Sequence, residues 1–493
     1  MRRASTAAPS ARSRCARSSG PSFGTSARRG DERMDRFVRR ALVFLVGAAL
    51  FACMGCGDDD DGDPTCPSCT NTIIVLPDGS GDAPTIQAAI DAVDSLGTIL
   101  LGDGVFRGAG NHSLVLGGKA PTIRSQSGSA AMCTIDCGGP EEEMRWGIAF
   151  RAGEDGAILS KLTIRGASIG AVLCERVSVN ILGCHFRENE ATLGGAISCT
   201  DGGVTAIRDC RFEANEAQGG GAIWCQYADP WITNCRFDGN VAAAVGGAIA
   251  GQSASPMIRT CDFFENRAGE AGGALQFLYG SPVLHDLLIE ANRAGALGGG
   301  ILVEDAVAPR IESCLIVGNE AASSAGLHAA GPCSIRRCTI AWNEAAEAGG
   351  GCGFSGPVSV SECTIAGNLA VEGGGIVVGG DATIDLTRTI IAFSRTGAAI
   401  RIFGAGTISI ACCDLFGNDG GDWTGPIADL LGTDGNLSAD PLFCDGTPAS
   451  FALRADSPCL GAPCGRIGAW EQGCLPGPNA ADAPALTTGI LAN

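Results

Sequence analysis

An asparagine returns every 24 to 27 residues along the middle of this chain, and that period limits the fold more than any other feature. It stands at Asn189, Asn215, Asn240, Asn266, Asn292, Asn319, Asn343 and Asn368, slips to Ser394, and returns at Asn418. Other columns travel with it. Five residues earlier come Cys184, Cys210, Cys235, Cys261, Leu287, Cys314, Cys338, Cys363, Thr389 and Cys413. Three residues earlier come Phe186, Phe212, Phe237 and Phe263, then Ile289, Ile316, Ile340, Ile365 and Ile391, then Leu415. An apolar column from Ile181 to Ile410 lies eight residues before the Asn, and Gly-Gly-Ala-Ile recurs at 194–197, 220–223 and 246–249. Self-similarity at such a period marks a solenoid.

The Cys and Phe/Ile columns are two residues apart with polar residues between them, so each coil holds a strand with one buried face. No window between about residues 155 and 418 keeps a 3.6-residue period, which excludes helical solenoids. Asn at a corner tolerates the left-handed conformation, and its amide can bond the Asn of the next coil, so an asparagine ladder is expected. Glycine pairs and Pro230, Pro256, Pro282 and Pro309 supply further corners. The expected fold is all-β, a right-handed parallel β-helix with coils of about 25 residues. Roughly 13 coils at ~4.8 Å each give a rod of ~60 Å.

Five segments follow. Residues 1–56 read as a disordered leader plus a signal peptide, its cleavable part starting near Met34. Arg36, Arg39 and Arg40 precede a twelve-residue apolar run, too short to span a bilayer. The run ends near Cys53 and Cys56, and either cysteine fits a lipobox in which it would be acylated; an ordinary secretory signal is the alternative. Residues 57–71, with four aspartates in a row, read as an acidic tether. Cys66 and Cys69 suit a local disulfide. Residues 72–418 are the β-helix. Its N-terminal cap is a helix at 84–93, whose Ile86, Ala89, Ile90 and Val93 share one face and whose Pro84 suits the first turn. Residues 419–474 form a C-terminal cap stapled through Cys444, Cys459, Cys464 and Cys474. Residues 475–493 form a disordered tail.

Twenty-five cysteines with an export signal imply an oxidising compartment, either the bacterial outer membrane and cell surface or the extracellular medium. Ladder cysteines point the same way on adjacent coils, which favours buried thiols over strained bridges. Beyond residue 55 the chain has 23 basic and 50 acidic residues, a net −27, so nucleic acid is an unsuitable partner. No cofactor or metal is expected, and the sequence leaves the oligomeric state open.

The Phe-x-x-Asn and Gly-Gly-Ala-Ile motifs resemble the repeats of chlamydial polymorphic outer-membrane proteins, which are β-helical adhesins, although no C-terminal membrane barrel is read here. The opening 84–93 with Gly102-Asp103-Gly104-Val105-Phe106, and the closing Ser457-Pro458-Cys459 with Ile467-Gly468-Ala469, look like bacterial β-helix proteins of the pectin-lyase-like superfamily. The likeness spans roughly 72–474 and implies the fold. For activity it implies two classes: a non-catalytic surface protein binding a polysaccharide or cell-surface protein, or a secreted polysaccharide lyase or hydrolase.

The superfamily's enzymes use clustered Asp, Arg, Lys or His on a side groove. Here His112, His185, His285 and His328 fall in no column with paired acids, so the reading leans away from an enzyme. Glu190 and Glu216, one residue after their Asn, continue as Val241, Arg267 and Arg293, a mixed solvated face. The candidate glycan surface is the outward face of the Gly-Gly-Ala-Ile strand: Trp224, Gln226, Tyr227, Gln252 and Gln276, able to stack on and hydrogen-bond a sugar. A purely structural spacer is the third class.

Overall fold

The computed structural model describes residues 71–138, 144–444 and 451–474. The leader with Cys53 and Cys56, residues 57–70 of the tether with Cys66 and Cys69, and the tail from 475 lie outside the described residues.

A full coil holds four short strands, and six coils carry the third of them. In the coil of Asn215 they are Ala206–Arg208, Arg211–Glu213, Glu216–Gly219 and Ile223–Gln226. They pair in parallel with Trp231–Thr233, Arg236–Asp238, Val241–Val245 and Ile249–Gln252 of the next coil. The first and second strands of all coils build one long sheet of 25 segments, the third strands a six-stranded sheet, and the fourth a twelve-stranded sheet. This is the expected all-β parallel β-helix.

Period-two alternation places Ile207, Ile232 and Ile258 inside from the first strand, and Phe212, Phe237 and Phe263 inside from the second. The rings of Phe186, Phe212, Phe237 and Phe263 stack with centroids 5.2, 4.6 and 4.7 Å apart. Each buried ring contributes roughly 1.5–3 kcal/mol by burial. On the fourth strand Gly251 is required, because a Cβ there would stand 2.7 Å from the Phe277 ring.

A left-handed residue closes each strand: Asp209 (φ 54°), Ala214 (φ 50°), Gly220 (φ 60°) and Tyr227 (φ 53°) in one coil. The asparagines do not make the corner themselves. The residue before each one does, as at Glu188, Ala214, Glu265 and Ala291. The Asn side chain turns inward instead. Asn215 Nδ2 donates to the Phe186 carbonyl at 3.1 Å and to Asn240 Oδ1 at 2.9 Å. Its Oδ1 accepts from Asn189 N at 3.2 Å and from Asn189 Nδ2 at 2.9 Å. Both protons and both lone pairs are used, which a buried amide requires. The side-chain ladder runs from Asn189 to Asn368 and ends at Ser394, whose buried hydroxyl has no hydrogen-bond partner.

The ladder cysteines are buried free thiols, and Cys210 Sγ lies 3.1 Å from the Arg208 carbonyl. At the N-terminal end the helix is Ile86–Ala92, capped by the Thr85 hydroxyl accepting from Ala88 N at 3.2 Å. Pro84 therefore precedes the cap rather than opening the first turn. Ile86, Ala89, Ile90 and Val93 are buried as their shared face requires.

The C-terminal cap differs from expectation in two ways. Its disulfides are Cys412–Cys464 and Cys444–Cys474; Cys459 stays a thiol, 3.1 Å from Asp414 Oδ2. Cys412 could not be told from the ladder cysteines because it adjoins Cys413; it is the left-handed bend residue, so its side chain leaves the interior (φ 56°). The cap also runs back along the flank of the long sheet. Phe451 packs on Val317, Ala341 and Ala366, and Leu453, Cys459 and Ile467 pack on Ile390 and Ala392. Gly468 N donates to Arg388 O at 2.8 Å, and Ala469 N to Thr364 Oγ1 at 3.1 Å.

Candidate functional site

The expected glycan face is covered at Trp224 and Gln276, half-buried at Gln226 and Gln252, and open at Tyr227. Trp224 does point away from the coil interior, between inward Ile223 and Cys225, yet it is only 8 % exposed. Alternation fixes the direction of a side chain and says nothing about what lies beside it. Here the third and fourth strands meet across Gly220 at a corner, and the indole fills it. A Cβ on Gly219 would lie 3.1 Å from Trp224 Cζ3 and 3.3 Å from Leu193 Cδ2. Gln276 is buried in the same way. Gln226 Nε2 donates to Gln252 Oε1 at 3.1 Å, so part of their polarity is spent on each other. Tyr227 and Tyr279 stay exposed on the following corner.

The second strand's outward face carries a more complete arrangement. Its first outward column reads His185, Arg211, Arg236, Asp262, Leu288, Leu315, Thr339, Thr364 and Ile390. Charge gives way to apolar and hydroxyl residues at Leu288, and the cap covers the second part. Trp470 ends that cover: its Nε1 donates to Thr339 Oγ1 at 2.6 Å, which fixes the indole, and the residue remains 40 % exposed.

Between Trp470 and the bend of the long sheet lies a cleft of about 470 Å³. Its polar lining comes from Thr260, Asp262, Asp286, Ser313 and Arg337, with Leu288 and Leu315 as apolar floor. Thr260, Asp286, Ser313 and Arg337 are the left-handed bend residues of four consecutive coils, so the fold delivers one of them per coil to the same edge. Thr260 Oγ1 donates to Asp286 Oδ2 at 3.2 Å. Arg337 is ion-paired with Glu312, which holds the Glu312 carboxyl below its usual range. Burial, countered by Arg236 and reinforced by Asp238 and Asp286, raises Asp262 above the ordinary carboxylate range. The arrangement is an indole face beside donors and acceptors at coil spacing, suited to a sugar's ring and hydroxyl groups.

A second cavity, of about 390 Å³, is lined by Pro309, Pro332 and Pro357 with Arg310 and Asp385, and has no aromatic residue. His185 faces Glu213 at 3.0 Å, and burial lowers its pKa more than that carboxylate raises it. His328 is pushed down to about 4 by burial and contacts Ser324 Oγ at 3.0 Å. Glu190 and Glu216 are exposed, and in their column Arg293 faces Glu320 at 3.6 Å. Among the described residues no group of three or more His, Cys, Asp or Glu converges as metal ligands.

Sequence reasoning missed the cleft because Trp470 lies outside the repeat and belongs to no column. The signal present was the change at Leu288, Leu315 and Ile390 in an otherwise polar outward column.

Residues 170–334 match the family model described as the right handed beta helix region. No curated protein matches the chain. Among solved structures, the chain is similar to the A-modules of the Azotobacter vinelandii mannuronan C-5 epimerases AlgE6 and AlgE4. Each is 16 % identical with a TM-score of 0.35, over 72 % of this chain and 94 % and 95 % of theirs respectively. That likeness is too low to carry any functional argument, and the matched segment assigns a right-handed β-helix to the coils of Cys184 to Cys314.

Proposed function

We propose that this chain is an exported, lipid-anchored surface β-helix that binds saccharide without cleaving it, at the cleft beside Trp470. The observation that carries the reading is the half-open indole held by Thr339 opposite Asp262, Asp286 and Arg337. Amphipathic rings of this kind bind sugars by stacking while neighbouring polar groups fix hydroxyls. Arg337 and Asp286 are already held by protein partners, which suits a rigid receptor. Export is supported by the leader read at 34–56 and by the two cap disulfides, a bond type of oxidising compartments.

The test is a glycan array with the full chain, followed by titration of its best saccharide against wild type and Trp470→Ala. Binding that Trp470→Ala weakens about five-fold or more supports the reading, since an aromatic contact is worth roughly 1 kcal/mol. Binding indifferent to Trp470, or turnover of a polyuronate by the wild type, overturns it. Release from the membrane fraction of a Cys53→Ser, Cys56→Ser variant tests the anchor; wild type already free in the medium removes it.

A further inference from the structure

The cleft has a charge preference that its shape alone does not set. Asp262 and Asp286 line it from adjacent coils, and Asp238 adds a carboxylate beside Asp262. The guanidinium groups nearby are bound to other acids. Arg337 is paired with Glu312, Arg236 with Asp238 at 2.7 Å, and Arg336 with Glu362 at 3.2 Å. On the cap, Arg466 is 3.0 Å from Glu471. Arg236 also lies over the Phe264 ring, 4.2 Å from its centroid, which directs it along the sheet. Asp238 is shared by Arg211 and Arg236 and Glu312 is held by Arg337, whereas Asp262 and Asp286 make no ion pair among the described residues. The cleft presents an aromatic face next to uncompensated negative charge.

Resting on the reading that this cleft binds saccharide, we infer that its ligand class is an amine-bearing saccharide, a glucosamine-type chain, and not an acidic polyuronate. A ring stacked on Trp470 places its substituents toward Asp262 and Asp286. An ammonium substituent relieves the mutual repulsion of these carboxylates. A uronate carboxylate adds to it, and its natural partner Arg337 is already bound to Glu312. Neutral sugars keep the stacking and lose only the charge contribution. The ranking is read as ratios of affinity, and the charge contribution is the part of them that salt screens.

The experiment is calorimetric titration of the full chain with equal-length oligomers of glucosamine, N-acetylglucosamine and galacturonate at low and moderate salt. The expected order is glucosamine, then N-acetylglucosamine about ten-fold weaker, then galacturonate weakest, with the first gap shrinking as salt screens the charges. Asp262→Asn with Asp286→Asn should cut the ratio between the glucosamine and N-acetylglucosamine affinities to about two-fold or less, whatever the change in N-acetylglucosamine binding itself. Galacturonate binding as tightly as glucosamine, or a ranking that survives the double substitution, overturns the charge inference alone, provided Trp470→Ala still weakens binding. Failure of all three oligomers to bind, or binding that ignores Trp470→Ala, overturns the saccharide reading and the inference with it.

Discussion

The outward columns of the second strand have two different fates along one rod. From His185 to Asp262 they are charged and open, with Arg211, Glu213, Arg236 and Asp238 in mutual contact. From Thr339 to Ile390 they are apolar or hydroxyl-bearing and buried under the cap, Thr339 and Thr364 being 2 % and 1 % exposed. The interior Phe/Ile column runs through both halves with only apolar exchanges, so the coil core itself does not distinguish them. What differs is a row of side chains that the coil does not need. Outward columns are therefore free to encode what docks, and the cleft lies where one fate meets the other.

The largest effect should come from charging the covered half. Ala366, 1 % exposed beneath Phe451, becomes the site of an unpaired buried charge in Ala366→Arg. The expected loss is about 3–5 kcal/mol in urea unfolding, with residues 451–474 newly sensitive to protease. Arg211→Ala on the open half should change stability by no more than about 0.5 kcal/mol. Comparable losses would erase the distinction between the halves.

Asp414 continues the same column under the cap end, and burial raises its carboxyl to about 6. An acid whose folded pKa is raised favours the folded state most when protonated, below its unfolded value. That contribution is lost as pH climbs through about 6. Asp414→Asn should therefore stabilise the chain at pH 7 by up to about 2–3 kcal/mol and flatten the pH dependence between about 4 and 7. A variant less stable than wild type at pH 7 would show that the Ala439 amide bond to Asp414, at 3.0 Å, outweighs the burial.

Both halves share the ladder, so breaking it should cost similarly in either. Asn240→Leu removes the acceptor of the Asn215 backbone N–H and of one Asn215 Nδ2 proton, and the side-chain donor to the Phe212 carbonyl, a loss of about 2 kcal/mol. Asn343→Leu, level with the covered half, should match it within about 0.5 kcal/mol. Unequal losses would mean that the cap supports the interior beneath it.

The coil was legible in the sequence because it repeats: ten copies of the Asn and Phe/Ile columns average away local accidents. The ladder was legible for the same reason, though the left-handed residue itself was not, since Glu188, Ala214, Glu265 and Trp342 share no side-chain chemistry. Backbone geometry imposed by neighbouring coils sets that corner. Trp224 was misjudged because its exposure depends on Gly219 and Leu193 across a corner, contacts that alternation cannot supply. The cap's path and the Cys412–Cys464 pairing are long-range and occur once, so no column announces them.

The most direct test places the two candidate faces in one experiment: a crystal structure of the full chain with a bound glucosamine oligomer. A ring stacked on Trp470 with its amine toward Asp262 or Asp286 is the predicted result. A ring seated instead on Tyr227, Gln226 and Gln252, with the Trp470 cleft empty, would contradict it.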